Sequence, residues 1–181
     1  MKKVFIGGSR QIARLSAQVR FRLDNIIEHE LPVLVGDAHG ADKAVQRYLN
    51  SRGYRKVEVF HTNRECRNNL GEWVTHPVNA PKGARGIEYY SVKDEQMALE
   101  CSIGFMIWDG TSRGTLANIQ RLVEKNKKVV VYLAPEKRFL TIRDSADFKS
   151  FLGGRSKLSL KKRKSLPSLE LVSAGAQTSL F

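Results

Sequence analysis

The chain has 181 residues, 41% of them hydrophobic, enough for one domain with a core of its own and too few to require a second. This composition excludes a collagen-like or wholly disordered chain. A formal charge of +13 and a pI near 10.0 favour anionic partners such as nucleotides, nucleic acid or anionic lipid, with a solvated basic surface as the plain alternative.

The first apolar run, Val4–Ile6, ends in GGSR and reads as a strand too short for a signal peptide. Residues 11–28 read as a helix, with Ile12, Leu15, Val19, Leu23 and Ile27 recurring every three or four positions. Leu31–Gly36 is a second strand. Ala41–Arg52 is a second helix, stopped by Gly53, and Lys56–Phe60 is a third strand. His61–Tyr90 is rich in Asn, Gly, Pro and Arg and has no sustained period, so a long loop is expected, with a short helix near Arg67–Trp73. Ser91–Glu100 reads as helix, Ile103–Gly110 as a fourth strand, Thr115–Asn126 as helix and Lys127–Pro135 as a fifth strand. A short helix is expected around Ser145–Phe151. Alternating strands and helices with continuously apolar strands predict an α/β fold. The expected form is a Rossmann-like three-layer sandwich on a mostly parallel five-stranded sheet, occupying residues 1–152. Residues 153–181 are small, polar and basic, and are expected to form a flexible tail.

Two cysteines, Cys66 and Cys101, make no disulfide framework and suit a reducing compartment. With no run of about 20 apolar residues, a cytoplasmic protein without membrane insertion is expected. His61, Cys66 and His76 do not have a zinc spacing, so no metal site is expected.

Three glycine-bearing loops follow strands: Gly7, Gly8, Ser9 and Arg10; then Gly36, Asp37, Gly40 and Asp42; then Asp109, Gly110, Ser112, Arg113, Gly114 and Thr115. If the second and fourth strands flank the first, all three meet at the carboxyl edge of the sheet, where open parallel sheets bind ligands. Glycines admit an anion to the backbone, helix N-termini supply N–H donors, and arginines grip phosphate. The same residues also make tight turns. Their convergence is what favours an anionic, nucleotide-like ligand. Trp73 reads equally as a base-stacking residue or as a loop anchor.

These loops, the stretch KDEQMALECSIGFMIWDGTSRGTLANI (Lys93–Ile119) and KKVVVYLAP together resemble the SLOG superfamily. That group is named after the DNA-processing protein DprA and the cytokinin-activating enzyme LOG, and the resemblance is strongest to its small YspA-like branch. It covers about Lys2–Pro135 and implies a Rossmann-like fold that binds nucleotides or nucleotide-derived ligands, commonly as a dimer. Members include phosphoribohydrolases, defence-system ligand sensors and DNA-binding recombination mediators. LOG enzymes carry PGGxGTxxE with a catalytic glutamate. Here DGTSRGTLAN puts Asn118 in that place, and an asparagine is no carboxylate base. A LOG-like N-glycoside hydrolase would therefore need a replacement carboxylate. Asp94 and Asn118 are the catalytic candidates, Asp94 being as readily a ribose-hydroxyl acceptor or a loop tether. A DprA-like DNA-binding module is the other alternative.

The final QTSLF resembles the bacterial sliding-clamp-binding motif, with Gln177, Ser179, Leu180 and Phe181 matching and Thr178 replacing a leucine. The basic tract Lys161, Lys162, Arg163 and Lys164 would lie beside it as a nucleic-acid contact with salt-sensitive affinity.

Overall fold

The computed structural model describes residues 2–62 and 65–161. The elements follow in the order β1 (Val4–Gly8), α1 (Ala17–Glu28), β2 (Val33–Gly36), α2 (Ala41–Ser51), β3 (Val57–Thr62), β4 (Val74–Val78) and α3 (Gly86–Glu100). They continue with β5 (Ile103–Trp108), α4 (Arg113–Glu124), β6 (Lys128–Leu133), β7 (Arg138–Ile142) and α5 (Ser145–Lys161). One seven-stranded sheet has the order β4-β3-β2-β1-β5-β6-β7, parallel throughout except for β7, which pairs antiparallel with β6.

The apolar strands are continuous because both faces are covered. Val4, Ile6, Val33, Val35, Phe105 and Ile107 pack with Val19, Leu23 and Ile26 of α1 and with α2. Phe5, Leu34, Phe60, Met106 and Trp108 point the other way, to Met97 of α3 and Ile119 and Leu122 of α4. The result is the expected three-layer α/β sandwich.

The sheet has seven strands, not five. β4 lies within the supposed long loop. As an edge strand with Pro77 it has little apolar content to betray it, and Val74 is 67% exposed. β7 follows β6 through a tight turn in which Lys137 takes a left-handed φ of 48°. No helix forms at 67–73. That segment is instead held by side chains: Gln46 Nε2 donates to the Asn68 carbonyl at 3.1 Å and Gln46 Oε1 accepts from Leu70 N–H at 3.0 Å.

The first helix begins at Ala17, six residues later than expected, because Ser16 caps it by accepting from Val19 N–H at 3.3 Å. The last helix is longer than expected. The Asp144 carboxylate accepts from Ala146 and Asp147 N–H at its start, and the helix runs through Gly153 and Gly154 to Lys161, so residue 152 lies inside it. No helix among the described residues is long and apolar enough to cross a membrane. Lys162, Arg163, Lys164, Gln177, Ser179, Leu180 and Phe181 lie outside the described residues.

Candidate functional site

β1 is flanked by β2 and β5, and the chain leaves it in opposite directions on its two sides. That reversal opens a crevice at the carboxyl edge. A cleft of about 570 Å³ fills it, within the range of small-molecule sites. The first loop lends it Gly7, Gly8 and Arg10, the second Asp42, and the third Asp109, Ser112, Gly114 and Thr115. Asp94 of α3 and Asn118 of α4 complete the expected set.

Other expected residues stand behind the lining. Ser9 is fully buried and braces the loops. Its hydroxyl lies 3.2 Å from Thr115 Oγ1 and accepts from Asp109 N–H at 3.0 Å, while its carbonyl accepts from Ala41 N–H at 3.2 Å. One serine thus ties all three loops together. A Cβ on Gly36 would overlap the Asp42 carboxylate and the Lys93 ammonium. Gly40 precedes α2 at φ 83°, and a side chain there would run into the Arg10 backbone. Gly110 shapes the third turn at φ 85°, and Arg113 is exposed outside the lining. Asp109 carries that turn, its Oδ1 accepting from Thr111 and Ser112 N–H at 2.8 and 2.7 Å. Partial burial opposes its charge, but these N–H groups hold its carboxyl below the ordinary range.

The cleft floor holds a charged cluster that the loops alone did not announce. Lys93 is 4% exposed, with Nζ 2.6 Å from Asp94 Oδ1. Burial works against its charge, yet Asp94 and Asp42 outweigh it and keep its pKa above normal. Burial pushes the Asp42 carboxyl up to about 6 against the pull of Lys93, with Asp94 and Asp37 adding to the rise. Asn118 Nδ2 donates to Asp94 Oδ2 at 2.8 Å, and Arg121 donates to Asn118 Oδ1. Both oxygens of Asp94 and both ends of the Asn118 amide are therefore engaged. Lys93 was legible in principle: it precedes Met97 by four residues, which puts it on the buried face of α3.

The second wall comes from the Asn-rich segment. Asp37 is 1% exposed and is gripped by Arg67 through Nε at 2.7 Å and Nη2 at 2.6 Å. Burial opposes the Asp37 charge, but the bonds from Arg67 prevail and hold its carboxyl below the ordinary range. Trp73 is an anchor, 6% exposed with Nε1 donating to the Tyr54 carbonyl at 2.9 Å. His61 lies in β3 and His76 in β4. Among the described residues no three His, Cys, Asp or Glu side chains gather as a metal site.

No family model matches the chain, and no curated protein does. Among solved structures, the X-ray structure of DNA processing protein A (DprA) from Streptococcus pneumoniae is similar, with a TM-score of 0.51 and 19% identity. The chain has a DprA-like fold. The match covers 72% of this chain and 50% of that one, so the chain spans about half the length of the solved structure it matches. At this identity the likeness is one of fold, and the cleft just described is the carboxyl-edge crevice of that DprA-like sheet.

Proposed function

We propose that the domain binds a nucleotide or nucleotide-derived ligand in this cleft, with its phosphate at the first turn of α4. The observation that carries the reading is the convergence of three glycine-bearing loops, that helix turn, and Arg10, Arg67, Lys93 and Arg121 on one cavity. An amide at position 118, and the pairing of the Asp94 carboxylate with the Lys93 ammonium and that amide, support binding over N-glycoside hydrolysis, because Asn118 supplies no carboxylate and the Lys93 charge opposes use of Asp94 as a base. Calorimetry of the full chain with nucleoside monophosphates tests it. Gly114 has open space around it, so Gly114→Glu keeps the fold, places a carboxylate in the cleft and is expected to abolish binding. Unchanged affinity in that variant would refute the phosphate position. Release of free base from the monophosphates would restore the hydrolase reading.

The tail belongs to the same proposal: QTSLF tethers the protein to the sliding clamp, and Lys161–Lys164 contact DNA. The support is the sequence match and the charge run. Capture of the clamp by the full chain, lost in Leu180→Ala with Phe181→Ala, is the expected result, and equal capture by both versions discards it. A cytoplasmic homodimer of the YspA-like kind completes this reading.

The DprA-like fold favours one second reading, a domain that itself binds single-stranded DNA. Replacing Lys161, Lys162, Arg163 and Lys164 by glutamine in the full chain separates the two. Retained DNA binding assigns it to the domain, and lost binding assigns it to the tail.

A further inference from the structure

We propose that Tyr90 is the surface on which the base of the bound nucleotide stacks, and that Arg67, locked by Asp37, positions it. This rests on the nucleotide reading above and adds where and how the base is recognised.

Two aromatic residues line the cleft, Phe5 and Tyr90. Phe5 is 1% exposed and belongs to the core, whereas Tyr90 is 39% exposed. Trp73 is buried as a loop anchor. Tyr90 is therefore the exposed aromatic residue of this cleft.

The ring is also held in place before any ligand arrives. The guanidinium carbons of Arg10 and Arg67 lie 5.1 and 5.3 Å from its centroid, within cation–π range, and Tyr89 meets it edge-on at 5.0 Å. Arg67 is fixed in turn by the two-pronged bond to the buried Asp37 carboxylate, and Asn68 Nδ2 donates to the Asp37 carbonyl at 2.7 Å. The chain from Asp37 through Arg67 to Tyr90 joins the end of β2, the segment after β3 and the first turns of α3 into one rigid wall. A pre-set platform of this kind spares the ligand the cost of ordering it.

The wall and the helix turn proposed for phosphate line the same cleft. Arg10 and Tyr90 belong to the first loop and to α3, while Gly114 and Thr115 open α4. A ligand reaching both must carry a phosphate at one end and a flat ring at the other. Stacking reads ring area rather than hydrogen-bond pattern, so recognition is graded, with purines ahead of pyrimidines.

The test is calorimetry of the full chain with AMP and GMP, and with ribose 5-phosphate as the base-less probe. Wild type is expected to bind the purine monophosphates more tightly than ribose 5-phosphate. Tyr90→Ala lies on an exposed helical face and suits a helix, so its fold should persist, as circular dichroism will show. It is expected to weaken AMP and GMP binding by roughly 5- to 100-fold while leaving ribose 5-phosphate within about twofold. Tyr90→Phe should keep purine affinity. Arg67→Lys keeps a charge beside Asp37 but loses the planar fork, and should weaken AMP more than ribose 5-phosphate. If wild type binds AMP and Tyr90→Ala binds it as well, the stacking proposal is overturned and the nucleotide reading stands. Equal losses for AMP and ribose 5-phosphate overturn it too. If wild type binds none of the probes, the nucleotide reading itself fails, and this proposal with it.

Discussion

Replacing Arg67 by alanine strands a buried carboxylate. Asp37 is 1% exposed and accepts three bonds from Arg67: Nε at 2.7 Å, Nη2 at 2.6 Å and the backbone N–H at 3.2 Å. The backbone bond survives the substitution and the two guanidinium bonds do not. Removing one partner of a fully buried pair costs about 3–5 kcal/mol. The Arg67 side chain is 34% exposed, so water reaches the vacated place and a loss nearer about 2–3 kcal/mol is expected. For a chain of this length that lowers Tm by about 5–10 °C. The loss should also depend on pH. In wild type the Asp37 pKa is depressed, so its contribution is full above the unfolded carboxylate value and is lost as pH falls through the folded one. In the variant burial acts without the guanidinium and raises the pKa, so the penalty builds as pH rises from the unfolded carboxylate value and is full above the raised one. The deficit is therefore largest at neutral pH and shrinks as pH falls toward about 4. Urea unfolding followed by circular dichroism at pH 7 and near pH 4.5 measures both effects. Adding Asp37→Asn should recover part of the loss, since no buried charge then remains. A deficit below about 0.5 kcal/mol, or one equal at both pH values, would refute the reasoning.

Three further outcomes follow from the same geometry. Trp73→Ala should cost about 3–5 kcal/mol in urea unfolding, and hydrogen exchange should show residues 65–73 losing protection, because Trp73 anchors that segment. Asp42 titrates near 6 in the folded state, so wild-type stability should fall as pH rises from about 4 to about 6, and Asp42→Asn should flatten that slope in pH-dependent thermal melts. Gly40→Ala combines a φ of 83° with a clash against the Arg10 backbone. It should lower stability by more than about 1 kcal/mol and weaken nucleotide binding, as calorimetry would show.

The central strands were legible because runs such as Val4–Ile6 and Ile103–Trp108 are apolar on both faces, as burial beneath helices on either side requires. β4 and β7 were not. Edge strands bury less, and THPV and RFLTI carry a proline and charged or polar residues where the inner strands carry valine. α1 starts later than its apolar spacing suggests because Ile12 and Leu15 keep a helical spacing while packing on the core from the segment before the helix. In the cleft, the glycine loops were visible as turns after strands. Ser9 as a brace was not, since its partner Thr115 is 106 residues away. The wall of Asp37, Arg67 and Tyr90 was hidden for the same reason, Asp37 and Arg67 being 30 residues apart and joined only by folding. Lys93 and Asp94 are neighbours in sequence, but only the tertiary fold reveals that the lysine is buried and the carboxylate faces the cavity.

The central claim is that a nucleotide occupies the carboxyl-edge cleft. Amide chemical-shift mapping of the full chain titrated with the four nucleoside monophosphates tests it most directly. Saturable shifts concentrated at residues 7–11, 36–42, 90–94 and 109–118 are expected. No saturable shift with any of the four, or shifts centred away from these loops, would contradict it.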